Sequence, residues 1–158
     1  MKNIIAVFVI GTLLFGLFTG CAKEAKQAAT PAVKPAESNP QAEKAAVAAA
    51  DVWLKLVGTG QYEKSWQEAS EFFRNAVSQA DWQKSVMEVF RKPLGKLVSR
   101  TLKSTDYTTT APAPVAPDGQ YVIIQYDSSF QNKKSAVETV TVMLDKDGKW
   151  RVAGYFPD

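Results

Sequence analysis

At Gly95 the spacing of the apolar residues changes. Before it they recur about every four positions: Ala46, Ala50, Trp53, Leu54 and Val57, then Tyr62, Trp66, Ala69 and Phe73, then Trp82, Val86, Val89 and Phe90. After it they alternate with polar residues in Lys96 to Asp106, Tyr121 to Phe130, Ala136 to Asp145 and Lys149 to Phe156. A period near 3.6 lines one face of a helix and a period of 2 lines one face of a strand, so helices are expected first and strands second. Asn39-Pro40 is suited to open the first helix, and Gly58 and Gly60 to close it. A second helix is expected from Gln61 to about Val77, and a third capped by Asp81 and ended by Pro93 and Gly95. Asp147-Gly148 signals a hairpin between the last two strands, and Pro112, Pro114 and Pro117-Asp-Gly119 mark a long loop between the first two. The expected class is α+β: three N-terminal helices packed on a four-stranded antiparallel sheet, in a single domain of residues 39–158.

The residues ahead of that domain follow a different logic. Lys2 precedes an almost wholly apolar run from Ile4 to Phe18, too short for a comfortable membrane span of ~20 residues but suited to a secretory signal. Phe18-Thr19-Gly20-Cys21 resembles a bacterial lipobox, with Phe18 where leucine is more usual. Residues 1–20 are therefore expected to be a lipoprotein signal peptide, with Cys21 lipidated as the new amino terminus. Two or three acyl chains at ~0.8 kcal/mol per buried methylene anchor far more firmly than one. Residues 21–38, rich in Ala, Pro, Lys, Glu and Gln, lack the apolar surface to fold and read as a tether, spanning roughly 25 Å as a coil. The expected location is the cell envelope, lipid-anchored. In an organism with two membranes, Ala22 after the cysteine directs it to the outer membrane, facing the periplasm.

Composition removes several chemistries. Cys21 is the only cysteine and there is no histidine, so imidazole triads, histidine-based zinc sites and disulfides have no residues to use. The formal charge of +3 is small and spread along the chain, which gives nucleic acid no footprint. No cofactor, metal or catalytic residue is expected.

A string of motifs then resembles one bacterial family. It runs from Gly60-Gln-Tyr62, Ser65-Trp66, Ala69, Phe72-Phe73-Arg74, Trp82, Arg91-Lys-Pro-Leu-Gly95 and Arg100 to Pro117-Asp-Gly-Gln-Tyr-Val122. It continues with Phe130, Lys133, Ala136-Val-Glu-Thr-Val140 and Asp147-Gly-Lys-Trp-Arg-Val-Ala-Gly-Tyr155. These are similar to the domain-of-unknown-function family numbered forty-nineteen, over nearly all of residues 45 to 157. The resemblance implies a cystatin-like cone of the nuclear-transport-factor-two type, helices cradled by a curved sheet. It implies no activity, and fold alone decides none.

Strand parity singles out two charges. Glu138 shares its face with Val140, Val142 and Leu144, and Arg100 shares its face with Val98 and Leu102. A charge on an apolar face must be paired, neutralised or at a rim, so the two are expected to pair, with Arg91 from the third helix nearby. One reading makes Glu138 a base or ligand carboxylate in a pocket, with Tyr62, Tyr107, Tyr126 and Tyr155 as hydrogen-bond partners. The other makes the pair structural, and the arginine, by favouring ionised Glu138, argues for that. Trp53, Trp66, Trp82 and Trp150 read as core, with Tyr62 and Trp66 also candidates for ligand or partner contact. In the polar crossing Asp127 to Lys134, Phe130 and Lys133 are candidates for touching a partner. The expected function is a tethered, non-enzymatic module that binds an envelope protein or small ligand. The alternative is a small-molecule isomerase or lyase working from the cone pocket.

Overall fold

The computed structural model describes residues 38–112 and 116–158. The expected signal peptide of residues 1–20, Cys21, residues 22–37 of the expected tether, and Pro114 lie outside the described residues.

The first helix, α1 (Pro40–Gly58), begins as its sequence dictates. The Asn39 side chain accepts from the Ala42 amide at 3.1 Å, Pro40 occupies the first turn, and Glu43 reaches back to accept from the Asn39 amide. Its buried stripe is Ala42, Ala46, Ala50, Trp53, Leu54 and Val57. The second expected helix is two: α2 (Tyr62–Gln67) and α3 (Glu71–Ala76). The break has a cause in tertiary structure. Ser70 is fully buried, its amide donates to the Val152 carbonyl at 2.9 Å, and its hydroxyl caps α3 by accepting from the Phe73 amide. A continuous helix would spend the Ser70 amide on its own ladder. The next helix, α4 (Gln79–Ser85), is capped by Ser78 rather than Asp81; Asp81 lies in the first turn and its amide donates to the Ser78 hydroxyl at 3.1 Å. It runs on through a π-helical stretch, Val86–Arg91, and a short α-turn, Lys92–Leu94. Among the described residues, the helices expected to number three are therefore four.

The strands are β1 (Leu97–Thr108), β2 (Tyr121–Phe130), β3 (Ala136–Leu144) and β4 (Trp150–Pro157), an antiparallel meander in the order β1-β2-β3-β4. The sheet is open and not strongly curled, which corrects the cone that the resemblance implied. The helices cover one face, where Val122, Ile124, Tyr126, Val140, Val142, Val152 and Tyr155 meet the stripe of α1. At the centre Trp53, Phe73, Trp82 and Tyr155 stack edge to face or tilted, with ring centroids 5.1–6.5 Å apart. The indole N–H groups find acceptors: Trp53 on the Ser65 carbonyl at 2.6 Å and Trp82 on the Ser65 hydroxyl at 3.0 Å.

One parity expectation fails in detail. A register shift between Leu97 and Ser99 leaves Val98 out of the ladder and 61% exposed, while Leu97 pairs with Phe130. Val98 therefore does not share a buried face with Arg100, and Leu102 is also exposed.

Candidate functional site

Two cross-strand steps and one along β3 bring the charges together. Arg100 on β1 lies opposite Ser128 on β2, Ser128 lies opposite Ala136 on β3, and Glu138 follows two residues later on the same face. Glu138 has no solvent exposure, and its carboxylate accepts four hydrogen bonds. Arg100 supplies two in a fork, Nε–H to Oε2 at 2.6 Å and Nη2–H to Oε1 at 2.7 Å. The Ser128 hydroxyl donates to Oε2, and the Tyr155 hydroxyl from β4 donates to Oε1 at 2.6 Å. The row crosses all four strands.

Electrostatics follow from this arrangement. Burial pushes the Glu138 carboxyl up, but the hydrogen bond and charge of Arg100, helped by Ser128 and Tyr155, outweigh it and hold the group below the usual carboxylate range. Burial acts against the Arg100 cation, yet Glu138 carries its pKa above the ordinary arginine value. The Tyr155 phenol is pushed up, first by burial and then by the neighbouring carboxylate. Beneath the guanidinium lies the Tyr126 ring, 5.8 Å from Cζ to centroid, and the Tyr126 hydroxyl donates to Asp51 on α1 at 2.8 Å. The salt bridge is thus tied to the helix layer as well as across the sheet.

Arg91 does not join the pair; among the described residues it makes no ion pair with Glu138. It lines a cleft that Arg100 also lines. This cleft, about 460 Å³, opens between the C-terminal end of α1, the end of the π-helical stretch and the start of β1. Asp51, Lys55, Arg91, Lys96 and Arg100 supply its charges, and Leu54 and Leu97 its apolar wall. A second opening of about 440 Å³, between α1 and β4, has Val52, Leu56 and Trp150 in its wall; the Arg151 there is held by Asp145 and Asp147 at 2.7–3.0 Å.

The other candidates are placed apart from this cleft. Tyr62 and Trp66 pack half-buried against the core, and the Trp66 indole donates to the Val77 carbonyl at 2.8 Å, bracing α2 against the turn after α3. Phe130 is buried, while Lys133 is exposed on the turn that its carbonyl helps close by accepting from the Phe130 amide. Sequence reasoning missed Ser128 as a ligand of Glu138, although it lies on the same parity face as Ile124 and Tyr126. It also missed Lys55 and Lys96, whose meeting depends on the turn at Gly95. Among the described residues, no three metal-ligating side chains cluster and no helix is long and apolar enough to cross a membrane.

No curated protein matches the chain. The ordered motifs, the buried charge row and the helix–sheet layout all lie within one stretch, and a family model described as "Protein of unknown function (DUF4019)" matches residues 49–155 of it: the chain belongs to that family.

Proposed function

We propose that the protein is a lipid-anchored module of a bacterial cell envelope whose domain binds a partner or small ligand rather than transforming one. The anchor rests on sequence: the positive n-region, the short apolar run and the lipobox ending at Cys21. With Ala22 next in line, the destination in a two-membrane cell is the outer membrane. The tether of residues 21–38 gives the domain reach from the lipid surface.

One observation carries binding over catalysis. Glu138 is the acidic group best buried for general-base work, and four donors occupy it, two of them on a guanidinium. A base needs a free lone pair and a pKa near the working pH, and Glu138 is held ionised below the usual range. The cleft beside it then serves as a recognition surface shaped by the locked row.

Two measurements test this. Cys21→Ala protein is expected in the soluble fraction or as unprocessed precursor; mature-sized protein still sedimenting with membranes defeats the anchor. For binding, a photo-crosslinking residue is placed at Gly58, which lines the cleft and where an added Cβ meets nothing within 4 Å. Adducts in intact cells are expected from position 58 and not from the exposed position Ala48 on α1. Equal or absent adducts at both positions count against the cleft.

A further inference from the structure

We infer that the cleft between α1, the π-helical stretch and β1 is a binding site for a small molecule bearing a carboxylate or phosphate group; this rests on the binding reading above. The lining holds four cations, Lys55, Arg91, Lys96 and Arg100; Glu138 behind the wall balances Arg100, which leaves three cations against one carboxylate, Asp51, itself already accepting the Tyr126 hydroxyl. Scattered surface lysines would make an ordinary solvated face. Here Arg91 and Arg100 are half-buried; Glu138 already pairs with Arg100, whereas among the described residues Arg91 has no acidic partner of the kind that Lys103 finds in Asp127 at 3.1 Å and Arg151 in Asp145 and Asp147.

Arg100 is the prepared donor. Glu138 takes Nε–H and one proton of Nη2, and the Tyr126 ring fixes the plane from below. A guanidinium carries five N–H protons, so three remain, on a group whose orientation is already fixed and which lines the cleft. Little rotamer entropy is left to lose when an oxyanion accepts them. A helix C-terminus ordinarily repels anions, but the last carbonyls of α1 are occupied. Lys55 accepts from the amide and hydroxyl of Thr59 at 3.0 and 2.8 Å, and Leu56 accepts from the Gln61 amide at 2.9 Å. The volume of about 460 Å³ falls in the range of small-molecule sites, roughly 300–1,000 Å³. Leu54 and Leu97 suit a short apolar portion beside the anionic group.

The same oxyanion chemistry occurs on free metabolites and on anionic lipid headgroups, and the test separates them. The full chain in a zwitterionic detergent is titrated with inorganic phosphate, with butyrate and with butylammonium, followed by NMR of backbone amides and arginine Nε–H groups. Phosphate or butyrate is expected to shift Thr59, Lys96, Leu97 and the side chains of Arg91 and Arg100, with butylammonium inert. The variant Arg91→Gln/Lys96→Gln leaves the Glu138 row intact and is expected to weaken binding by about tenfold or more, the loss of charge-assisted contacts. Response only to phosphatidylglycerol vesicles, not phosphatidylcholine, and lost in the same variant, assigns a lipid headgroup; response to the soluble anions assigns a free molecule. Equal shifts from butylammonium, undiminished binding by the variant, or silence towards every anion overturns the inference. Crosslinks from position 58 in cells alongside that silence leave the binding module standing and remove only its anionic ligand.

Discussion

Replacing Glu138 by glutamine keeps the shape of the side chain and removes its charge. One carboxylate oxygen becomes an NH₂ donor. The hydroxyls of Ser128 and Tyr155 can rotate to accept from it, but the Arg100 fork cannot, so at least one guanidinium N–H faces a donor. Breaking a buried ion pair by removing one partner costs about 3–5 kcal/mol. The Arg100 side chain is 17% exposed, so water reaches the stranded cation and the loss falls to roughly 2–4 kcal/mol. A domain of ~120 residues unfolds with about 0.25 kcal/mol/K of entropy, so the thermal midpoint should fall by about 8–16 °C. Circular dichroism on heating, checked against urea midpoints, reads this directly. The structure adds a condition to any rescue. Arg100→Met/Glu138→Leu removes both charges yet strands the hydroxyls of Ser128 and Tyr155. Adding Ser128→Ala and Tyr155→Phe should recover much of the loss. A Glu138→Gln midpoint within about a degree of the parent would refute the reasoning, because it would mean the pair is solvated and nearly neutral in energy.

Other expectations follow from single contacts. Ser65→Ala strands the buried Trp82 N–H and should cost about 1–3 kcal/mol by urea denaturation, against about nothing for exposed Ser99→Ala. Asn39→Ala removes the cap of α1 and should cost about 1 kcal/mol, with Asn39→Asp retaining most of it. Stability should fall on acidification: Glu138 and Asp147 have folded pKa values below their ordinary 4.5 and 3.8. Their contribution is complete above those values and is lost as pH drops through the lower, folded ones, so guanidinium midpoints that stay flat below pH 4.5 contradict it. In alkali the sign reverses for Tyr126 and Tyr155. Their folded values are raised above 10.0 by burial first, and then by Asp51 and Glu138 respectively, so the stability present below pH 10 is lost above it. Tyrosinate absorbance should show both phenols ionising late, together with the buried Tyr121, which burial and then Asp118 also push up.

The change of period at Gly95 was enough to divide the chain into helices and strands, because side-chain spacing is a local property. The places where the reading failed are those decided at a distance. Nothing near Ser70 announces that its amide pairs with Val152, eighty-two residues later, and that contact breaks the helix. The displaced Val98 likewise depends on how Leu97 registers against Phe130. Parity nonetheless paired Arg100 with Glu138, since the ladder is regular from Ser99 to Leu102 and across the whole of β2 and β3.

The cleft was illegible for a related reason. Its cations come from three segments, and each cation has an ordinary local role: Lys55 on an exposed helix position, Arg91 near a helix end, Lys96 at the mouth of a strand. They converge because Gly95, at φ +77°, turns the chain back over the end of α1. The Gln131 side chain fixes that turn by accepting from the Lys96 amide at 3.1 Å, and the Asn132 amide does so by donating to the Leu94 carbonyl at 3.0 Å. The β2–β3 turn thus acts on the cleft as a brace, whatever else its lysines touch. An added Cβ at Gly95 meets the Gln131 side chain at 3.1 Å in a backbone conformation that alanine resists. Gly95→Ala should therefore cost about 1–2 kcal/mol and disturb anion binding without touching any charged residue. Parent-like binding with that stability loss would show that Lys96 does not need the turn, and would shift the burden of recognition to Arg91 and Arg100.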